Sequence, residues 1–481
     1  MLESFPISFI LAISMINTNL NFRIFLAIAL FITTSIWAVR LPLLLSPLEM
    51  SEGSFSISDV GSDKKKKSKV PTSWGGSSLS QETRQIDGID LTVYSLAGGA
   101  WILHKTVKLS ASTIEILGED AYKGFLKGQT KVEDPENGIT LVAGKGTYDK
   151  VAETIILEGR PTLIFKDKEN KITKITAPYL KRYFSENKTV FEVGAIIENG
   201  EYTIYSDAAV FLEKEESLLM ENYPFIFGKD IFLTGEKVTY SNSSKNTTLE
   251  NDTILLRLSF ESNKKKSSKG NESLENADNL DKSQELNKEE KIKRVSIFTG
   301  DKLIYQSGDD DTRYVGLFGN AKMNREDYEF TASYLKAFGK NNGNLEAKQS
   351  VTVLDKENHV KLSGETLEHN KENDYTHITD NAMLEFLDKE NTNVNSTLTS
   401  VEIERFGNKK EIVSRGDVNI VSDESTIKGE YATYFEETEK IFVEGNPSLK
   451  KDNKTLYCGR IVIFPNLDKI ILTDGLNVNK K

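Results

Sequence analysis

The sequence predicts an all-β protein, an elongated stack of tandem two-strand antiparallel repeats preceded by one N-terminal transmembrane helix. Three observations carry that expectation. A short pattern of apolar and small residues returns at nearly constant spacing through most of the 481 residues. Between its copies run β-branched and aromatic residues punctuated by Asn, Asp and Gly, with ten prolines and no sustained helical period. Near the start, residues 24–39 (IFLAIALFITTSIWAV) carry no charge.

The length alone would suggest several domains, but periodic architectures escape that prior, so repeats are sought before domains are counted. Hydrophobic residues make up 38% and charged residues 28% of the chain, which suits elements that bury one face and wet the other. A formal net charge of −11 disfavours nucleic acid as a partner, because phosphate binding needs a basic face. A single cysteine excludes an internal disulfide framework.

Residues 1–23 form an N-terminal extension, and 24–48 read as a membrane segment. The apolar character continues past Arg40 into LPLLLSPL (41–48), and a bilayer span needs roughly 17–25 apolar residues. Such a span places Arg40 at the interface, where its stem stays in the apolar layer and its head reaches water. A cleaved signal peptide is the competing reading, but its cleavage site is poor: Thr33 and Ser35 are the nearest small pair. Charge does not orient the span, since Arg23 and Arg40 flank it almost symmetrically and Lys64 to Lys67 lie farther off. From 49 to 85 the chain is rich in Ser, Gly and Lys without pattern, as in a flexible tether.

From Leu109 onward a unit of the form apolar, any, small, any, any, apolar recurs. It reads LSASTI at 109, VAGKGT at 142, ITAPYL at 175, IYSDAA at 204 and LTGEKV at 233. It resumes as FTGDKL at 298, FTASYL at 330, LSGETL at 362, LTSVEI at 398, IKGEYA at 427 and LYCGRI at 456. The third position is always small, from Ala111 and Gly144 to Gly429 and Cys458. Spacings run from 29 to 36 residues apart from one of 65 between 233 and 298, where a degenerate unit or an insertion is expected. Each unit continues, after a polar turn, into a second alternating segment such as TIILEGRPTLIF (154–165) or KIFVEGNPSLKK (440–451). Alternation with period two buries one set of side chains and wets the other, so a unit is two strands. Pro161, Pro224 and Pro447 fall at matching places, where each second strand is expected to kink.

Units such as LVAGKGTYDKVAETIILEGRPTLIF and TIKGEYATYFEETEKIFVEGNPSL resemble the repeats of the OstA-like family, the LptA and LptC proteins of lipopolysaccharide transport. The likeness covers most of 109–478, and the stretch 89–117 after one membrane span resembles the entry into the anchored LptC-type member. The chain departs from that member in carrying several times as many repeats and a hydrophilic insertion. What the resemblance implies is an open, twisted β-jelly roll whose apolar interior receives acyl chains. It further implies an inner-membrane, single-pass protein with its bulk in the periplasm. Its partners would be lipopolysaccharide or another envelope lipid, an ATPase-driven transporter in the inner membrane, and other jelly-roll proteins joined edge to edge. The strand at 469–478 is then a candidate joining edge. No cofactor is called for.

Under that resemblance the groove candidates are the apolar positions of the repeats. In the first block, 86–260, these are Leu109, Ile114, Val142, Ile175, Leu180, Ile204, Leu233 and Val238. In the second, 295–481, they are Phe298, Leu303, Phe330, Leu335, Leu362, Leu367, Leu398, Ile403, Ile427, Leu456 and Ile461. Read from pattern alone, the same residues fill a closed, dry core, and a slip of one residue would reverse every side chain. Between the blocks, 261–294 is a hydrophilic, low-complexity insertion that reads as a solvated loop or hinge; Lys264 to Lys266 and Lys269 offer a contact for anionic lipid heads as the other reading.

Catalytic signals are weak, and the chain reads as no enzyme. His104, His359, His369 and His377 are scattered, although the last two could be strand neighbours. Asp309 to Asp311 make an acidic turn without the ligand spacing of a calcium loop. Cys458 occupies a small-residue slot, which points to packing rather than nucleophilic use. No nucleotide-binding loop occurs, so any ATP hydrolysis belongs to a partner. The functional alternative from another class is a structural or adhesive envelope repeat protein with a closed core that binds protein partners. A third, an enzyme acting on envelope polysaccharide, needs a carboxylate pair in a cleft that nothing in the sequence selects.

Overall fold

A computed structural model of the chain describes residues 70–260 and 292–480, apart from 87, 309–311, 340–342, 453, 465–468 and 476. The expected membrane segment at 24–48, the N-terminal extension and most of the hydrophilic insertion lie outside those residues. No helix among the described residues is long and apolar enough to cross a membrane. Antiparallel strands account for nearly all of the described chain, and they form one continuous sheet.

The sheet is a meander folded lengthwise. Each strand pairs with its sequence neighbours on both sides of a corner near its middle, as Val107–Leu117 does with Ile89–His104 and Lys123–Asp134. Its first half lies in one limb of the fold and its second half in the other. We call the limb that holds Thr72–Gly75 the first limb and the one that holds Ser78–Ile86 the second.

The corner explains the spacing of the sequence motif. Along Val107–Leu117 the inward residues are Val107, Leu109 and Ala111, then Ile114 and Ile116. Period-two alternation is thus kept within each limb and shifted by one residue at the bend, which makes apolar, small and apolar fall at first, third and sixth positions. The strand that returns beside it bends differently. It carries two consecutive residues in the left-handed region, such as Gly128-Gln129, Val193-Gly194, Asn222-Tyr223, Asn251-Asp252, Gly319-Asn320, Gln349-Ser350, Asp380-Asn381 and Gly445-Asn446. Across from Gly319 and Asn320 the register jumps from Phe318↔Tyr334 to Ala321↔Ala332, so two residues face one. That is a bulge, and a row of bulges bends the whole sheet along one line. Pro161, Pro224 and Pro447 each follow such a pair, where no ladder N–H is needed.

Two expectations are corrected here. Residues 72–86 are not tether but the strands Thr72–Gly75 and Ser78–Ile86, paired with Ile89–His104. Their WGGSSL (74–79) is a further copy of the motif, with Gly76 at the small position. Among the described residues of the 65-residue gap there is no extra repeat. Asn246–Phe260 pairs with Ile292–Gln306 along both limbs, from Asn246↔Gln306 to Phe260↔Ile292, so the strands on either side of the insertion are neighbours and the two blocks share one sheet.

At the lengthwise ends, among the described residues, Thr72–Gly75 and Ser78–Ile86 pair only with Ile89–His104. At the other end Lys469–Thr473 and Asn477–Lys480 pair only with Arg460–Phe464 and Lys454–Tyr457. Asp474 and Gly475, both left-handed, bend this last segment as they do the strands before it.

Gly319 has φ of 66° and Asn320 of 47°. A Gly319→Val substitution is expected to cost roughly 1–3 kcal/mol, because a β-branched side chain is strained there and would meet Asp301. Asn320→Gly, at the neighbouring left-handed position, is expected to be neutral or slightly stabilising. Urea midpoints of the two variants check the contrast, and equal losses would contradict the corner.

Candidate functional site

Folding the sheet places two apolar faces against each other, and their side chains make one long cluster along the described chain, while Phe232, Leu256 and Leu258 form a second, small cluster on the other face. Alternate residues of every strand point into the long cluster. All but two of the groove candidates are buried there: Leu109, Ile114, Ile175, Leu180, Ile204, Leu233, Val238, Phe298, Leu303, Phe330, Leu335, Leu362, Leu367, Leu398, Ile403, Ile427 and Ile461. Leu456, near the end of the stack, is half-buried against the same cluster. Val142 is a correction: it faces out at 39% exposure, and Leu141 occupies the inward place. The motif at this repeat therefore starts one residue earlier, with Ala143 at the small position and Gly144 beside the left-handed Gly159. The run LVAG offers two adjacent apolar starts, and only cross-strand pairing of Leu141 with Val132 and Leu163 decides between them.

Opposite the corner, the hairpin turns of the two limbs meet along a seam. Through the first half of the chain this seam is closed by side chains that cross it. Trp74 packs on Tyr94 with ring centres 5.1 Å apart and donates from Nε1 to the Glu119 carbonyl. His104 Nδ1 and the Tyr148 hydroxyl are 2.7 Å apart, with the Phe184 ring 4.9 Å from the imidazole. Lys105 reaches Glu153 at 2.8 Å, Phe165 meets Phe211 at 5.2 Å, Asn242 donates to Asp167 at 3.0 Å and Asn199 donates to the Tyr240 hydroxyl at 2.6 Å.

The strongest crossing is ionic. Arg182, 1% exposed, donates from Nε and Nη2 to the two oxygens of Glu213, each at 2.8 Å, and from Nη2 to Asp134 of the opposite limb. Thr189 donates to Glu213 at 2.9 Å, and Asn137 donates to Asp134. Burial opposes charge on Asp134, but hydrogen bonds from Asn137 and Arg182 outweigh it and hold the carboxyl below its ordinary range. Such a bidentate, charge-assisted arrangement stands in for the apolar packing that fills the rest of the interior. Sequence reasoning missed this group. Its signal was parity: counting two residues on from Leu180 puts Arg182 on the inward face, where a charge needs partners.

Beyond Tyr305 the seam changes character. Each of its polar pairs stays within a limb: Tyr328 to Asp355 at 2.9 Å and His359 Nδ1 to Asn391 at 3.0 Å in one, Asn408 to the Asn373 carbonyl at 2.9 Å and Arg405 to Glu436 at 2.8 Å in the other. One ring pair, Phe386 with Tyr434, crosses at 5.2 Å. Here several inward residues near the rim are half-buried, among them Tyr305, Met323, Leu345, Val353, Tyr434, Ile463 and Ile470, whereas Val315, Ala337, Val360, Ile412 and Ile441 are buried.

The other polar candidates are accounted for locally. His369 and His377 do not share a face, since His369 pairs with Thr376 and Glu368 with His377; their ring nitrogens meet Thr376 and Glu402. Cys458 sits at the corner between Lys454–Tyr457 and Arg460–Phe464, its Sγ 3.3 Å from the Arg460 carbonyl. Asp309 to Asp311 lie outside the described residues. Among those described, no cluster of His, Cys, Asp or Glu has the arrangement to hold a metal ion.

No protein-family model matches the chain, and no curated protein matches it. Among solved structures, it is similar to the crystal structure of LptH, the LptA-homologous periplasmic component of the conserved lipopolysaccharide transport device from Pseudomonas aeruginosa. The identity is 17%, the match covers 21% of this chain and 72% of that one, and the TM-score is 0.19.

Removing Arg182 leaves two buried carboxylates uncompensated, so Arg182→Met is expected to lower stability by about 3–5 kcal/mol in urea unfolding. Burial pushes the His104 imidazole down to about 4 from 6.5. The unfolded chain then binds the proton first, so this contribution is complete above the ordinary histidine range and is lost as pH falls through that interval. His104→Gln is expected to flatten the dependence of the urea midpoint on pH across it.

Proposed function

We propose that this chain is a membrane-anchored, extracytoplasmic β-jelly-roll protein that takes acyl chains between its two limbs, as a component of lipopolysaccharide or related lipid transport. The observation that carries this reading is the apolar interior, continuous across the repeats and reaching the seam from Tyr305 onward through half-buried apolar side chains such as Met323, Leu345 and Tyr434. Such a surface suits an amphipath. Each methylene removed from water is worth about 0.8 kcal/mol, so a lipid with several acyl chains does not cross an aqueous compartment unaided at a useful rate. An apolar layer between two limbs shelters the tails while a polar head stays at the seam in water. With neighbouring strands about 4.8 Å apart, the stack is on the order of 100 Å long, a useful span between two membranes.

In this role no side chain reacts, and the energy for movement comes from a partner such as a membrane ATPase. The anchor is the apolar segment 24–48, and the partners are the inner membrane, envelope lipid and proteins that add strands to the ends of the stack. A second reading is a structural repeat protein with a permanently sealed core. It is favoured by the near-zero exposure of residues such as Leu109, Ile175, Leu233 and Leu303. The two readings differ in whether the limbs part.

Leu367 and Glu368 are neighbours on Val360–Asn370, one 2% exposed and inward, the other exposed. With a photo-crosslinking residue at each position in whole cells, lipid adducts are expected at Leu367 and not at Glu368. Their absence from Leu367, Leu335 and Ile403 in folded protein would favour the sealed repeat.

A further inference from the structure

The seam is not uniform, and its change of character falls near the middle of the described chain. Up to Tyr240 the crossing side chains are hydrogen-bonded, ionic or stacked, and apart from the half-buried Trp74 and Tyr202 the inward residues at the rim, among them Tyr94, His104, Tyr148, Arg182 and Phe211, are buried. From Tyr305 to Leu472 they are mixed: Val315, Ala337, Val360, Ile412 and Ile441 are buried, while Tyr305, Met323, Leu345, Val353, Tyr434, Ile463 and Ile470 are half-buried.

We propose that acyl chains enter sideways through the seam between Tyr305 and Leu472, and that the stretch before it is a dry stem closed by the Arg182–Asp134–Glu213 clasp. This rests on the lipid-binding reading above and adds the place of entry. Parting the limbs in the first half would pull Asp134 off the buried Arg182–Glu213 pair on the opposite limb and leave a carboxylate and a guanidinium N–H without their cross-seam partner in an apolar layer. Parting them in the second half breaks few cross-limb bonds. There the limbs are held by apolar contact at the rim, as between Phe386 and Tyr434, and an acyl chain sliding between them replaces that contact with one of the same kind.

The two halves also differ in how a head group would be met. Along the open rim, ion pairs such as Arg405 with Glu436 and Asp374 lie within one limb, so they persist when the limbs separate. In the stem the charged groups are consumed in closing the seam. An amphipath with acyl tails is therefore accommodated on one side of Tyr305 and refused on the other.

The test uses the full chain with phosphatidylglycerol vesicles containing a diazirine-labelled palmitoyl analogue, and maps adducts by peptide mass spectrometry. Adducts are expected on inward residues such as Leu335, Leu367 and Ile403, with background at Leu141, Leu180 and Leu218. Opening the clasp with Arg182→Met is expected to bring adducts to Leu180. Should that variant fail to fold, a second one serves: Lys389→Cys with Thr438→Cys, bridged by a short bifunctional thiol reagent, is expected to reduce labelling at Ile403 to background. Equal labelling of both halves in the unmodified chain, or unchanged labelling after bridging, would overturn the lateral entry while leaving lipid binding intact. Background labelling everywhere in a folded protein would overturn the lipid reading itself, and the place of entry with it.

Discussion

The fold depends on a bend made at the same place in successive strands. A strand of eleven or more residues that turns a corner must break its own alternation. The chain does so by a one-residue slip around a small side chain in one strand and by two left-handed residues in the next. Without those bends, alternation would give a flat ribbon with one greasy face open to water. With them, the greasy face closes on itself and the polar face becomes the outer surface. The Gly, Ala, Ser and Cys positions of the motif are best understood as the inner radius of that bend.

A folded sheet has one covalent edge and one free edge, and the free edge is where this molecule spends its polar chemistry. In the stem, burying Arg182 is tolerable because two carboxylates, one on each limb, answer it, and the arrangement specifies which turns face each other. Farther along, the seam is left to aromatic and aliphatic side chains. Stability in a stacked architecture is local, set by each unit and its neighbours, so the two regions can differ in how readily they open.

Much of the fold was legible in the sequence because strand alternation and corner spacing are local properties. Leu109, Ala111 and Ile114 announce both at once. What was not legible had physical reasons. Val142 and Leu141 are both apolar, and only pairing across the sheet chooses the inward one. The strands at 72–86 were hidden in a Ser- and Gly-rich stretch, because WGGSSL satisfies the motif with glycine and serine rather than aliphatic residues. The clasp was hidden because its members are 31 and 48 residues from Arg182 and lie in different strands. Its parity was readable, whereas its partners were set by which limb faces which.

The account turns on a seam that is bonded in one half and parts in the other. Spin labels at Lys105 and Ala152 report the first half, and labels at Lys389 and Thr438 the second, each pair read by double electron–electron resonance with and without phosphatidylglycerol vesicles. A narrow distance distribution that lipid leaves unchanged is expected at the first pair, and one that shifts to longer distances when lipid is added at the second. Distributions that are equally narrow and equally unmoved by lipid would contradict it.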